Sequence, residues 1–397
     1  MKLLSVAAAR SAMVAEAAAL PAETIPLQAA NGRVLAQDVA AVRAQPPFTN
    51  SAMDGWAVRA ADTPGALAIV GESAAGHGYE GALAPGQAIR IFTGAALPDG
   101  ADSVVIQENA TREGEQVTVP RAAPGDNVRD AGKDFRAGQV LLTAGTRIDP
   151  WRLSLAASAG RAELSVRRKL RIAILSTGEE IVEAPAAPGP FQIYDSGSPA
   201  LKVMCEAWGA EASKLSGVRD RLDDVTAAMR AADADLIVTV GGASVGDHDL
   251  VRTAAEALGL VYRVESVAVR PGKPTFFGVL ADGRRLLGLP GNPASAFVCA
   301  ELFLKPLIAA YYGAPHAPRM ATARLAEPLA ANGPREHWMR AKLTYEAGGI
   351  TVRPYRDQDS SLVSVFAAAD ALLVRPPSAP ASAAGDLVEV LRLDRAG

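Results

Sequence analysis

The stretch Asp235-Leu-Ile-Val-Thr-Val-Gly-Gly-Ala-Ser-Val-Gly-Asp-His-Asp249 constrains the fold more than any other part of the chain. Leu236 to Val240 is a nearly unbroken apolar run, which suits a strand buried on both faces of a parallel sheet. Gly241, Gly242 and Gly246 let the backbone turn sharply and approach a ligand with no Cβ in the way. Leu250 to Leu258 follows with helical spacing and stops at Gly259. Strand, glycine turn and helix start belong to an open α/β sheet, which binds ligands outside the carboxyl ends of its strands. Read alone, the glycine pair and an N-capping Asp also describe an ordinary tight turn. Asp247, Asp249 and Ser244 in that one turn point to a site.

The rest of the composition narrows the class. At 397 residues the chain exceeds one ordinary core, and roughly two to four domains are expected. A hydrophobic content of 49% with net charge −3 describes a soluble globular protein without the basic excess of a nucleic-acid binder. No apolar run reaches the roughly 18 residues of a membrane span, so no membrane partner is expected. Arg10 and Glu16 break the apolar N-terminus, which reads as an amphipathic helix and not a signal peptide. Cys205 and Cys299 lie far apart in apolar helical patterns, as buried free thiols of a reducing cytoplasm do.

Periodicity divides the chain. A helix from Ser5 to Leu20 and a strand from Gly32 to Val39 precede a glycine-rich run of short strands. Helical spacing returns from Pro150 to Gly160. The short strands therefore read as an insertion at 46–139 into a discontinuous N-terminal domain of 1–45 and 140–168. Residues 169–316 alternate strand and helix, as in a doubly wound α/β domain, and 317–397 read as β again. The fold class expected is multidomain α/β and β: a central doubly wound α/β domain, an inserted β-rich N-terminal module and a C-terminal β-barrel-like domain. A hairpin turns at Asp282-Gly283, and a long helix from Ser295 to Tyr312 is interrupted at Pro306.

Glycine-flanked polar clusters fall on the loops. Ser176-Thr-Gly-Glu-Glu180, the turn from Gly241 to Asp249, and Leu289-Pro-Gly-Asn-Pro-Ala-Ser295 each follow a strand, so they should share one carboxyl edge. Glu179, Glu180, Asp247 and Asp249 would then crowd together and repel unless a cation is shared. Mg²⁺ is the natural one, taking one or two carboxylates plus substrate phosphates. Arg270 and Lys273 flank a Pro-Gly turn, and Gly291-Asn-Pro-Ala-Ser295 opens a helix whose amides and positive end suit an oxyanion. Acids beside bases describe a phosphate-bearing ligand held through Mg²⁺ with room for a second anion. Gly76-His-Gly-Tyr-Glu-Gly81 spells a dinucleotide fingerprint but opens no helix, and Pro271-Gly-Lys-Pro274 lacks P-loop spacing. The four histidines share no ligand spacing. Trp56 suits core packing or, less well, stacking on a flat ring.

Asn50-Ser-Ala-Met-Asp-Gly55, Arg90-Ile-Phe-Thr-Gly94, Ser176-Thr-Gly-Glu-Glu180, Gly241-Gly-Ala-Ser-Val-Gly246, Pro271-Gly-Lys-Pro274 and Gly288-Leu-Pro-Gly-Asn-Pro293 occur in one order. Together they resemble the molybdopterin molybdenumtransferase family (MoeA, and the E domain of gephyrin) along the whole chain. The resemblance implies an enzyme that binds adenylylated molybdopterin and molybdate, cleaves the phosphoanhydride with Mg²⁺, and releases AMP. It implies a homodimer whose cleft joins the α/β domain of one subunit to the N-terminal β module of the other. Molybdopterin adenylyltransferase would be a transient partner.

The resemblance also carries roles. Asp54, Thr93, Asp134, Glu180, Asp220 and Asp249 match catalytic positions, with Glu180 and Asp249 as the Mg²⁺ ligands. Ser176, Thr177, Gly241, Gly242, Ser244, Gly246, Arg270, Lys273, Pro290, Asn292, Pro293, Ser295, Arg340 and Ser360 match substrate-binding positions, with Lys273, Ser295, Arg340 and Ser360 associated with molybdate or phosphate. For Asp134 and Asp220, plain turn chemistry is the alternative. Arg270 stands where the family usually has Lys, Asp359 where it has Gly, and Asp370 where it has Asn. A molybdopterin adenylyltransferase is similar to residues 169–316 alone, and a gephyrin-like scaffold is the non-enzymatic alternative. The flanking modules argue against the first, and the lack of a long linker argues against the second.

Overall fold

All five residues of the strand Leu236–Val240 are buried, as a two-faced apolar run requires. It sits third in a six-stranded sheet ordered Glu211–Leu215, Arg171–Ser176, Leu236–Val240, Arg285–Leu289, Phe276–Val279 and Val261–Val264. The first four strands run parallel, and the last two join antiparallel. From Arg171–Ser176 the chain crosses to one side to form Glu211–Leu215, then returns to the other side as Leu236–Val240. That reversal opens a crevice at the carboxyl ends of the two neighbouring strands. Helices Leu222–Ala231 and Leu250–Ala257 bury Val225, Met229, Val251 and Ala254 with Leu175 and Ile237 of the sheet.

This computed structural model describes residues 3–241 and 250–393. It divides into a unit of Met1–Ala22 with Arg167–Gly397 and a unit of Glu23–Val166. Residues up to 22 thus fall with the α/β sheet, where the sequence pattern grouped them with 140–168. The helix Val6–Val14 begins under a Ser5 cap and ends well before Pro21. Tertiary bonds take over from there. Arg285 Nε donates to the Glu16 carbonyl (2.8 Å), and the Leu20 amide donates to that of Tyr311 (3.2 Å).

The smaller unit packs its apolar residues in several separate clusters. In the six-stranded sheet spanning residues 55–119, Trp56 and Val58 pack on one face and Ala57 on the other, the period-two alternation of a strand. Trp56 is therefore a packing residue, with the Arg90 guanidinium 5.4 Å from its ring centre. A further core joins Leu27, Leu35 and Val39 to Leu142, Ile148, Ala156 and Val166, so the segments before and after the sheet share it. Its helix Pro150–Ser158 starts as the sequence dictates, with Pro150 in the first turn and the Asp149 carboxylate accepting from the Arg152 amide.

In the larger unit the long helix runs as Pro293–Cys299, a π-helical turn Ala300–Leu304, and Lys305–Tyr311. Pro306 has no amide proton and its ring crowds the preceding turn, so the interruption takes the form of a wide turn. The combined helix of 19 residues is apolar and long enough to cross a membrane, yet 78% of it is buried inside the protein. Beyond it, Glu336–Glu346, Gly349–Pro354, Met320–Leu325, Leu387–Arg392 and Ala371–Arg375 close into a five-stranded barrel around Leu325, Leu343, Val352 and Leu373. The short strand Val269–Arg270 pairs with Glu336 and His337, tying the α/β sheet's basic turn to the barrel.

One contact in the central sheet tests this packing. Phe276 lies across from Gly288 in the hairpin, and a Cβ at Gly288 would fall 1.9 Å from the ring. Gly288→Ala is expected to destabilise the protein by about 1–3 kcal/mol through overpacking, read as a lower urea midpoint.

Candidate functional site

Three loops meet above the crevice. Gly241 has φ +91°, and a Cβ there would sit 2.9 Å from the Thr177 carbonyl oxygen. A Cβ on Gly291 would lie 3.3 Å from the Gly241 Cα, so the backbones of the three loops nearly touch. Around this contact opens a cleft of about 690 Å³. Of the residues expected at the site, Ser176, Thr177, Glu180, Asp220, Gly241, Pro290, Asn292 and Pro293 line it. Gly242, Ser244, Gly246, Asp247 and Asp249 lie outside the described residues.

The acidic wall has two kinds of carboxylate. Glu180 is exposed and has no ion-pair partner among the described residues. Asp195, which the sequence reading passed over, is locked. It accepts from the amides of Gly197 (3.1 Å) and Ser198 (3.0 Å), from the Ser198 hydroxyl and from Lys214 Nζ (2.6 Å). Burial works against its charge, but Lys214 and Ser198 outweigh it and hold the carboxyl below the usual range. Asp195 thus fixes the start of helix Gly197–Ala207 against the cleft. Its one signal in the sequence was an acid just ahead of a helical run; Lys214 left none.

The basic wall is reached through a single loop. Asn292 Nδ2 donates to Ser360 Oγ (2.8 Å), and the Ala294 amide donates to the Ser360 carbonyl (3.2 Å). One of the helix-start amides expected to cradle an anion is therefore already used. Ser295 is buried one residue farther along. Next to Ser360, the Asp359 carbonyl accepts from Arg340 Nη2 (2.7 Å). Arg340 sits on the outer face of barrel strand Glu336–Glu346, because Ala341 and Leu343 point inward. Its side chain is fully buried, and its Nε and Nη1 have no hydrogen-bond partner among the described residues. Burial and the Arg270 charge lower its pKa, with Asp357 and Asp359 opposing; a guanidinium stays cationic regardless. Two unpaired donors on a buried cation are costly unless an anion completes them.

Matches to known proteins cover the length of the chain. Residues 4–160 match the "MoeA N-terminal region (domain I and II)", 173–310 the "probable molybdopterin binding domain" and 322–393 the "MoeA C-terminal region (domain IV)". The molybdopterin molybdenumtransferase of Haemophilus influenzae is 34% identical over 98% of each chain. This chain belongs to the molybdopterin molybdenumtransferase (MoeA) family. The Staphylococcus epidermidis molybdopterin molybdenumtransferase is 31% identical over 91% of this chain and 88% of its own. A crystal structure of the Pyrococcus horikoshii molybdopterin biosynthesis MoeA protein superposes with TM-score 0.85, at 30% identity over 98% of this chain and 99% of that one.

Within this MoeA-family chain the remaining expected residues are more scattered. Lys273 and Arg270 are exposed and do not line the cleft, although Pro274 of the same turn does. That turn is clasped from beneath: Thr275 Oγ1 donates to the Gly272 carbonyl (2.8 Å) and contacts Cys299 Sγ (3.1 Å). Arg252, also missed, donates to the Pro274 carbonyl (3.1 Å) with its guanidinium over the Phe276 ring. In the smaller unit, Asp54 Oδ1 accepts from both the amide and the hydroxyl of Thr93, each at 2.8 Å. These two bonds, the amide foremost, keep its pKa low, with Arg90 adding to the effect. Asp134 is exposed in a turn held by its amide to the Gln45 carbonyl.

Two departures from the family pattern have local duties. The Asp359 carboxylate accepts from the amide (2.8 Å) and hydroxyl (2.7 Å) of Ser361, which keeps its charge on its own turn. Asp370 accepts from the Leu343 amide (3.0 Å) and pairs with Lys342. For a metal, no group of three or more His, Cys, Asp or Glu among the described residues is disposed to hold an ion alone. Glu180 and Asp220 on one cleft nonetheless fit Mg²⁺, which relies on one or two carboxylates with substrate phosphates.

His337 offers a pH test. It is paired in register with Arg270 on one side and Arg375 on the other. Burial and then the charges of Arg270, Arg340, Arg335 and Arg375 push its pKa down to about 4. The folded protein therefore keeps it neutral while the unfolded chain takes up a proton. Its contribution is complete above the ordinary value of 6.5 and is lost as pH falls through about 4. His337→Gln is expected to lose less stability than wild type across that window, measured by urea unfolding at stepped pH.

Proposed function

We propose that the cleft inserts molybdenum from molybdate into adenylylated molybdopterin, in a Mg²⁺-dependent step that releases AMP. The observation that carries this reading is the Asn292–Ser360 hydrogen bond. It joins a cleft lined by an unpaired carboxylate to the loop holding a buried guanidinium with two open donors. Acidic and cationic functions thus serve one ligand pair.

Arg340 Nε and Nη1, without partners among the described residues, would donate to a tetrahedral oxyanion, and charge-assisted bonds from a guanidinium suit molybdate. Ser360 and Ser295 supply hydroxyls nearby, while Lys273 and Arg270 add positive field at the rim. Thr177, Gly241, Pro290 and Pro293 shape the floor on which the pterin phosphate is held. Glu180, with Asp249, would hold Mg²⁺, and Asp220 would complete the acidic set, with Asp134 supplied by a partner subunit. When bound, the ion withdraws charge from the phosphoanhydride and steadies the departing AMP. Asp54, kept ionised by Thr93, would accept a hydrogen bond and orient the attacking oxygen.

We infer a homodimer in which Asp54 and Thr93 act on a partner subunit's cleft. Adenylylated substrate would come from a transient molybdopterin adenylyltransferase partner, and two buried free thiols support a cytoplasmic setting. An ATP-dependent adenylyltransferase is the weaker reading, because the matched N- and C-terminal regions belong to the insertase family.

Three measurements test the reading. Glu180→Ala should slow AMP release from adenylylated molybdopterin by on the order of 100-fold, as loss of a key electrostatic group does; a wild-type rate sinks the assignment. Molybdate at a hundred times its Kd should stabilise the wild type by about 2.7 kcal/mol and Arg340→Met not at all, read by thermal shift. Mixing inactive Asp54→Ala and Glu180→Ala proteins should restore about a quarter of wild-type activity, since half of random dimers regain one cleft. No recovery would exclude sharing between subunits.

A further inference from the structure

One wall of the cleft is used by neither the acids nor the oxyanion groups. Ile181, Ile193 and Tyr194 line it. They belong to a two-rung parallel ladder, Ile181 beside Ile193 and Val182 beside Tyr194, formed between strand Arg171–Ser176 and helix Gly197–Ala207. The ladder is firmly tied. The Ile193 amide donates to the Glu180 carbonyl (2.7 Å), the Asp195 amide to the Val182 carbonyl (2.9 Å), and Gln192 Nε2 to the Glu179 carbonyl (2.8 Å). The same backbone therefore sets the positions of Glu180 and Tyr194, and the locked Asp195 carboxylate holds the chain immediately after the tyrosine.

That wall is apolar and open. Ile193 is 60% and Tyr194 51% exposed, and Tyr194 has no hydrogen-bond or ring partner among the described residues. Leaving such surface in water forgoes roughly 25 cal/mol per Å² of apolar area. An exposed aromatic ring on a tied backbone at the edge of a charged cleft is an arrangement that binds a flat heterocycle by its face. The substrate of the function proposed above carries two such rings, a pterin and a purine. Among the described residues that line the cleft, Tyr194 is the one aromatic side chain.

We propose that Tyr194 is the stacking platform for a heteroaromatic ring of the substrate, with Ile193 and Ile181 packing beside it. The assignment rests on the molybdenum-insertion reading and adds the group that grips the ring. Tyr194 binds and positions; it takes no part in proton transfer. Its loss should therefore fall on KM and leave kcat alone.

The test compares wild type with Tyr194→Ala, Tyr194→Phe and Tyr194→Trp. AMP release from adenylylated molybdopterin is measured, and AMP and molybdopterin are each titrated alone. Tyr194→Ala should raise KM by on the order of ten-fold or more at unchanged kcat, as loss of one base-stacking contact does. Tyr194→Phe should stay near wild type, and the new indole of Tyr194→Trp should be quenched as ligand binds. If the alanine variant loses affinity for AMP alone, the ring gripped is the purine; for molybdopterin alone, the pterin. An alanine variant with wild-type KM and wild-type affinity for both compounds overturns the stacking role while turnover keeps the functional reading intact. A wild-type protein that releases no AMP and binds neither compound overturns that reading, and the stacking role with it.

Discussion

The near-contact of three backbones at Thr177, Gly241 and Gly291 is what the cleft depends on. A side chain at position 241 would press on the Thr177 carbonyl and force apart the loops that follow the strands of the sheet. With the glycine, those loops converge where the strand order reverses, and residues from distant parts of the sequence line one cavity. The parallel strands themselves are ordinary apolar runs. The chemistry begins only where they stop.

Two kinds of charge are then set apart, one lining that space and one linked to it through the loop at Ser360. On one side Asp195 is neutralised by Lys214 and spent on capping a helix, which leaves Glu180 open to solvent and ligand. On the other side the barrel buries Arg340 with two donors unpaired. Keeping a desolvated guanidinium incomplete opposes folding, and the barrel and its flanking loop bear that cost with their own packing. Under the function proposed above, that cation is where an anionic substrate would complete the missing bonds, which would make the C-terminal barrel part of the site.

Arg270 and His337 show how the barrel and the α/β sheet share charge. The register that sets Arg270 beside His337 adds a cation next to an imidazole already crowded by arginines, and the ring answers by staying neutral. A lysine and an arginine at position 270 would exert the same field over that distance. The fork of the guanidinium matters only at direct contact, and Arg270 is exposed and does not line the cleft.

The amino-acid sequence alone determined the α/β sheet, the strand before the glycine turn, the hairpin at Asp282-Gly283 and the polar loops at 176–180 and 289–295, because each is written in local periodicity and turn chemistry. It also carried the family resemblance. Only the tertiary structure decided that helix Val6–Val14 ends early and joins the sheet, since bonds from Arg285 and Tyr311 capture the chain after it. The fold likewise decided that Ser360 occupies a helix amide, that Lys214 pairs with Asp195, and that Arg340 is buried without a full set of partners. Those relations join residues 19 and 66 positions apart, or span a barrel wall. Local pattern is blind to them because their energy lies in burial and charge placement, which exist only after the chain has folded.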